Sequence, residues 1–234
     1  MKVLSIDSSG LVAATALISD GILVAEYTIH NKKTHSQTLL PMISDMLKMA
    51  DVKSGELDCV AVSAGPGSFT GLRIGASTAK GLAWTLGIPI VPVSSLMGLA
   101  ANISERGAVV CPVMDARRNQ AYYGIYRMTD ELPEVIAEPD VAAIEAVVEE
   151  VNAIGEPVIY LGDGVPVFAE WIQKNTAVPV KFADEVNRYQ RGASVARLGS
   201  LLYEKGEYVE AAEFAPVYLR KSQAEREREE REHV

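Results

Sequence analysis

Apolar and polar residues alternate along the first thirty positions in a pattern that predicts strands. Short apolar runs at residues 3–7, 12–18 and 22–29 are separated by turn residues, which indicates three antiparallel strands joined by tight turns. Apolar residues then recur at helical spacing from about residue 35 to residue 50. Thr34 and Gln37 predict a capping box at the start of this helix, whereas Pro41 indicates that the helix starts late or is kinked.

A glycine-rich loop joins the next strand to the next helix. The β-branched run at residues 58–63 predicts a buried strand, and small or apolar residues recur at helical spacing from Leu72 to Leu86. Ser68 or Thr70 is suited to cap that helix. The loop either presents backbone N–H groups to an anion or only permits a tight turn with close helix packing, and the sequence leaves both interpretations open.

The second half repeats the order of strand, acidic residue, turn and strand. The first half ends near Asn102, and a new apolar run ends at Asp115. The further predicted elements are a strand at 121–126, a helix at 141–151, a strand at 158–161 and helices at 165–175 and 193–205. We therefore expect an α/β protein with an actin-like, ribonuclease-H-like fold of two similar domains. The expected divisions are 1–102, completed by a segment near 192–220, then 103–191, and a charged, disordered tail at 222–234.

Composition and charge restrict the function classes. The chain has 234 residues, of which 48% are hydrophobic, and a formal net charge of −9, which argues against a broad basic surface for gripping nucleic acid. Cys59 and Cys111 lie inside apolar strand-like runs, so neither a disulfide framework nor a cysteine metal site is expected. The first residues do not form a signal peptide and no apolar run is long enough to span a bilayer, which predicts a cytoplasmic protein without membrane contact.

Acidic residues and glycines at strand ends define a candidate nucleotide cleft. Carboxylates hold magnesium and glycine-rich turns approach phosphates, and the candidate set is Asp7, Ser8, Gly65, Gly67, Asp115, Gly162 and Asp163. Aspartates at strand ends are also ordinary turn-formers, and this alternative stays open. Arg73 and the pair Arg117-Arg118 are the best positive groups for an anion, unless each only forms a surface ion pair. Three isolated histidines give no metal site and no Ser-His-acid set.

Five runs of the chain resemble one known family. They are Leu4-Ser5-Ile6-Asp7-Ser8-Ser9, His35-Ser36-Gln37-Thr38-Leu39-Leu40-Pro41, Gly65-Pro66-Gly67-Ser68-Phe69-Thr70-Gly71-Leu72-Arg73-Ile74-Gly75, Asp115-Ala116-Arg117-Arg118 and Pro216-Val217-Tyr218-Leu219-Arg220. The pattern resembles the TsaB family, also called YeaZ. That resemblance implies a protein that acts with the catalytic paralogue TsaD and the ATPase TsaE to place threonylcarbamoyl on adenosine 37 of tRNAs reading codons that begin with A.

The resemblance also implies the absence of catalysis by this chain. The segment that carries two metal-binding histidines in TsaD has Ser95 and Leu99 at the matching places, and a leucine cannot bind a metal. The chain is therefore expected to be a scaffold that needs no cofactor of its own, with ATP or ADP binding left to the complex and tRNA bound only through it. The alternative is an enzyme, either an actin-like phosphotransferase using Asp7 and Asp115 or a glycoprotease-like peptidase.

Two helices are expected to pair with TsaD and, in the isolated protein, with a second copy. They span about residues 35–50 and 71–86. The expected interface residues are His35, Leu39, Ile43, Met46, Gly71, Arg73, Gly75, Ala79 and Leu82. On this interpretation, Gly75→Arg leaves the monomer folded and abolishes pairing with TsaD.

Overall fold

The structure of the protein is a computed structural model, which describes residues 1–31 and 34–220. The charged tail expected at 222–234 lies outside the described residues. Within the described residues, no helix combines the length and apolar character needed to cross a membrane.

Five strands form the first sheet. In chain order they are β1 Lys2–Asp7, β2 Ala13–Ser19, β3 Ile22–Ile29, β4 Cys59–Gly65 and β5 Ile90–Ser94. The spatial order is β3-β2-β1-β4-β5, and β1 is antiparallel to β2 but parallel to β4. The predicted hairpins are therefore confirmed.

Three helices cover the two faces of this sheet. They are α1 His35–Met49, α2 Phe69–Leu86 and, later in the chain, α6 Gly192–Glu204. Leu4 and Ile6 of β1 pack in one apolar cluster with residues of α1 and α2, whereas Val3 packs in another cluster with residues of α6. This alternation is the two-residue period of a strand whose two faces are both buried.

The second sheet repeats the architecture of the first. Its strands are β6 Val109–Arg117, β7 Gln120–Arg127, β8 Glu134–Ala143, β9 Val158–Leu161 and β10 Val180–Phe182, in the spatial order β10-β9-β6-β7-β8. Helices α4 Ile144–Ile154 and α5 Val165–Asn175 cover one face, and the short helix α3 Ser95–Ala100 packs on the other. Each sheet thus has three antiparallel strands followed by two parallel ones in the same relative order. This confirms the predicted α/β, actin-like fold of two similar domains.

Two strands and one helix boundary were missed in the sequence. Strand β8 lies at a sheet edge and is largely exposed, and β10 has only three residues. The helix predicted at 141–151 begins at Ile144, because residues 141–143 complete β8 beside β7. Glu138, Pro139 and Asp140 interrupt the apolar run of β8, and three residues are too few to show a period, so periodicity alone does not reveal either strand.

The first helix differs from its predicted start. Helix α1 begins at His35 with Pro41 inside it, which contradicts a late start and leaves the alternative of a kink at Pro41 as a prediction. The predicted capping box is also wrong, since the Thr34 hydroxyl instead lies 3.1 Å from the Ser36 hydroxyl. Ser68 caps α2 by accepting a hydrogen bond from the Gly71 N–H at 3.3 Å, as expected.

The two cysteines behave as small buried side chains. Cys59 and Cys111 lie in β4 and β6, and neither thiol forms a disulfide. Burial raises the pKa of Cys59 to about 12, which keeps the thiol protonated at neutral pH.

Candidate functional site: the cleft between the two domains

A cleft of about 400 Å³ lies between the two sheets. The first domain contributes residues 9–11 and the start of α2, and the second contributes the end of β6 and Asp163. Residues 217–220, at the end of the described chain, form the remaining wall. Three of the predicted cleft residues, Gly67, Asp115 and Asp163, line this space.

The other four predicted cleft residues are not among those that line the cleft, and Asp7 is the clearest example. Its side chain is only 1% exposed. One carboxylate oxygen accepts hydrogen bonds from the Ser9 N–H and hydroxyl at 2.9 and 2.7 Å, and the other accepts from the Ser63 hydroxyl at 2.6 Å. Burial raises the pKa of Asp7, and these hydrogen bonds oppose the shift. Asp7 organises the turn after β1 and does not face a metal or phosphate in the cleft.

Ser8, Gly65 and Gly162 serve the packing of the loops. The Ser8 hydroxyl donates to the Gly71 carbonyl at 2.9 Å. A Cβ at Gly65 would overlap the Val217 carbonyl, and a Cβ at Gly162 would overlap the Val113 carbonyl. These positions let backbone segments approach closely, and none of the three is among the residues that line the cleft.

The glycine-rich loop is held against the turn that follows β1. The Ser68 N–H donates to the Ser9 carbonyl at 2.7 Å, and a Cβ at Gly67 would overlap that same carbonyl. A Cβ at Gly71 would overlap the Ser8 carbonyl. Close backbone packing therefore explains these glycines, as the second interpretation of the loop required.

Two carboxylates meet at the second-domain side of the cleft. The Asp115 N–H donates to Asp163 at 3.1 Å, while Asp115 accepts the Arg117 N–H at 2.8 Å and lies 3.4 Å from the Arg117 guanidinium. Burial raises the pKa of Asp163 to about 6, helped by the negative charge of Asp115 and opposed by hydrogen bonding and by Arg117. Arg117 thus forms the surface ion pair that the sequence left open. In the described part of the chain, no three His, Cys, Asp or Glu side chains converge as a metal site.

The titration of Asp163 gives a first testable prediction. Because its folded-state pKa lies above the ordinary value of 3.8, the folded state holds more protons between pH 4 and 6. The stability contributed by this group is therefore present below about pH 4 and is lost as pH rises through about 6. We expect Asp163→Asn, which keeps an oxygen for the Asp115 N–H, to melt roughly 2–5 °C above the wild type at pH 7.5 and without a gain at pH 4.

Scanning calorimetry at both pH values checks this expectation. Asp51→Asn is the matched control, because it makes the same charge change at an exposed position. An equal gain for both variants, or a gain for Asp163→Asn that does not depend on pH, would contradict the assignment.

Residues of the C-terminal segment were not anticipated as part of the cleft. The centroids of the Tyr218 and Phe69 rings are 4.7 Å apart. The Arg73 guanidinium lies 4.0 Å from the centroid of the same Phe69 ring. Arg220 donates to the Ala116 carbonyl at 2.6 Å. The run of residues 216–220 was visible as a motif, but its distance in sequence from residue 116 gave no signal of this contact.

The expected interface residues face the core of the first domain. Leu39, Ile43, Met46 and Ala79 are all buried in the cluster beneath α1 and α2, and Leu82 packs against it. Gly71 and Gly75 are buried as well. The apolar stripe of each helix packs on the sheet, so these residues offer little exposed surface to a partner, and pairing through the two helices stays a prediction.

Two of the expected interface residues make contacts of another kind. His35 is half-buried and its Nε2 is 2.9 Å from the Gly10 carbonyl. Arg73 is exposed and stacks on Phe69. Any partner surface on α1 and α2 therefore consists of their outward faces.

Ser95 and Leu99 have packing roles. The Ser95 hydroxyl accepts a hydrogen bond from the Gly65 N–H at 3.2 Å. Leu99 is fully buried between the two domains, in a cluster with Val110, Met114 and Tyr126. Both side chains are fully buried.

The repeated sheets and the interdomain cleft define a two-domain α/β protein of the actin-like class. Similarity to known proteins places the chain within this class more narrowly. Residues 23–228 match the family model described as TsaD, tRNA N6-adenosine threonylcarbamoyltransferase. The tRNA threonylcarbamoyladenosine biosynthesis proteins TsaB of Bacillus subtilis and Escherichia coli are 32% and 27% identical to this chain, in each case over 96% of both chains.

A solved structure agrees with these relatives. YeaZ from Pseudomonas aeruginosa superposes with a TM-score of 0.80 at 29% identity, covering 93% of this chain and 99% of that one. The chain belongs to the TsaB (YeaZ) family of tRNA threonylcarbamoyladenosine biosynthesis proteins.

Proposed function

We propose that this chain is a non-catalytic scaffold subunit that works with TsaD and TsaE in threonylcarbamoylation of adenosine 37 of tRNAs reading codons that begin with A. The observation that carries the proposal is the use of Ser95 and Leu99. At the places where the resemblance puts the metal-binding histidines of TsaD, Ser95 bonds to the glycine loop and Leu99 fills the interdomain core. Neither side chain is available to hold a catalytic metal.

The charge of the chain supports an indirect contact with tRNA. A formal net charge of −9 opposes the binding of a polyanion, so the tRNA is held by the partner. The chain requires no cofactor, and any ATP or ADP is bound at the level of the complex. The buried Asp7 supports this division of labour, because its carboxylate is already engaged by Ser9 and Ser63. The cytoplasm is the proposed location.

The outward faces of α1 and α2 are the proposed TsaD-binding surface. The two helices are neighbours that follow parallel strands in the same direction, so their carboxyl-terminal ends lie at the same end of the sheet. Three large apolar side chains project from these faces: Leu40 is 54% exposed, and Met49 and Trp84 are each 73% exposed. Exposed tryptophans are frequent energetic centres of protein interfaces. The same faces pair with a second copy when TsaD is absent.

Reconstitution with purified components tests the function. The modified nucleoside is measured after incubating tRNA and threonylcarbamoyl-adenylate with TsaD and TsaE, with or without this chain. We expect formation of the nucleoside only when this chain is present, and neither ATP hydrolysis nor nucleoside formation by this chain alone. Full modification by TsaD and TsaE without it would refute the scaffold role.

The variant Trp84→Arg tests the surface in the same assay. Because the indole is largely exposed, the substitution should leave the melting temperature nearly unchanged. A cation at the centre of an apolar contact should weaken pairing by at least about 100-fold, with loss of co-elution with TsaD on size exclusion.

Val167→Arg is the matched control for this variant. Val167 is 59% exposed on α5 of the second domain, so the same residue is introduced at an apolar surface position outside the proposed interface. Co-elution of Trp84→Arg with TsaD at wild-type affinity, or equal loss in both variants, would show that the surface is elsewhere.

A further inference from the structure

The last described segment of the chain crosses from one domain to the other. After α6, Val209 pairs with Ile90 at the edge of the first sheet, and Phe214 is buried in the first-domain core. The Lys80 ammonium on α2 donates to the Ala212 and Phe214 carbonyls at 3.1 and 2.9 Å. The stem of the segment is thus anchored to the first domain before it reaches the cleft.

Residues 217–220, which we call the strap, then form one wall of the cleft. The Val217 N–H donates to the Ala64 carbonyl at 2.7 Å, and its own carbonyl is packed on Gly65, where a side chain would overlap it. Gly65 has a φ of 123°, a conformation that glycine adopts readily. The strap therefore occupies the space directly beside the glycine-rich loop.

The outer half of the strap joins the two domains. Tyr218 packs on Phe69 at the start of α2, and Arg220 reaches the Ala116 carbonyl at the end of β6. Opening the cleft mouth requires the loss of at least one of these contacts. Elsewhere the two domains are held together by the buried contacts of α3 with the second sheet.

The geometry points to a built-in closure device: the strap bridges α2 and β6 and limits how far the two domains separate, so a ligand or partner loop larger than the present cleft enters only after the strap is displaced. The strap lines the cleft together with Gly67 and Ser68 and leaves a space of about 400 Å³ between the domains. Release of Tyr218 and Arg220 is the step that opens the mouth. This device is independent of the scaffold role, since it concerns the relative position of the domains in the isolated chain.

Distance measurements between the domains test this inference. Spin labels are placed on Ser77→Cys in α2 and Ala146→Cys in α4, two exposed positions, with Cys59 and Cys111 left in place because both are buried. In the full-length chain we expect one narrow distance distribution. Adding Tyr218→Ala and Arg220→Ala should lengthen and broaden it, and amide exchange of residues 65–69 and 113–117 should become about ten-fold faster.

Tyr208→Ala is the matched control, because Tyr208 is 46% exposed and Tyr218 is 40% exposed, but Tyr208 lies outside the cleft. It should leave both measurements unchanged. If the double variant melts well below the wild type, Arg220→Ala alone provides the test, since this guanidinium contacts the second domain. Distances and exchange rates identical to the wild type in a folded strap variant would overturn the inference.

Discussion

A Gly75→Arg variant is expected to be unfolded, rather than folded and unable to pair with TsaD. Gly75 lies on the buried face of α2, and a Cβ at this position would be 2.5 Å from the Ser8 hydroxyl and under 4 Å from Ile6 and Val62. The arginine would therefore push a charged group into the contact between helix and sheet. The cost of burying an unpaired charge in an overpacked contact exceeds about 4 kcal/mol. This cost is a large share of the roughly 5–15 kcal/mol free energy of unfolding of a typical domain.

Soluble expression and circular dichroism melting measure the effect, and Ser77→Arg is its control. Ser77 lies two residues away on the exposed face of the same helix, so the same new side chain extends into solvent. We expect Ser77→Arg to melt within about 2 °C of the wild type. Wild-type melting of Gly75→Arg would show that the helix can move away from Ser8. In that case the small residue would serve another purpose.

The contrast between these two positions shows what helical periodicity reveals. The spacing of Leu72, Ala76, Ala79 and Ala83 correctly predicted one face of α2, and all four are buried. It did not reveal what covers that face, since a sheet of the same chain and a partner protein select the same residues. Within a single domain the core takes the apolar stripe first. Leu40 and Trp84, which lie off the stripe or at its margin, were not assigned to a surface from the sequence.

The sequence identified residues that line the cleft only where their place at the end of a strand decided where they lie. Asp115 lies near the end of β6 and Asp163 follows β9, and because these strands are adjacent and parallel, their carboxyl ends meet at one edge of the sheet. Asp7 ends β1 by the same rule, but the hydroxyl of Ser63, 56 residues later, donates a hydrogen bond to its buried carboxylate. Sheet register decides which residue so far along the chain becomes a hydrogen-bond partner. The sequence pattern does not contain this information, and the same reason explains why the contact of Arg220 with residue 116 was missed.

The boundary position Asn102 gives the second prediction of a large effect. Two of the connections between the domains lie close together, one just after α3 and one before α6. The Asn102 amide nitrogen donates to the Asn187 and Tyr189 carbonyls at 2.9 and 2.8 Å, and its oxygen accepts the Ser194 hydroxyl at 2.6 Å. One side chain thus joins both connections, and its donors and acceptor are all used.

We expect Asn102→Asp to lose about 3–5 kcal/mol of unfolding free energy, because an isosteric carboxylate places negative oxygens against two carbonyl oxygens and removes both donors. The melting temperature should fall by roughly 6–15 °C at pH 7.5. Protonation restores one donor, so the loss should be smaller near pH 4. Asn175→Asp is the control: its amide donates to the Trp171 carbonyl at 2.7 Å at an exposed helix end, and the same chemical change should cost below about 1 kcal/mol. Equal losses of unfolding free energy in the two variants would show that the Asn102 hydrogen bonds stabilise the protein no more than those of a surface turn.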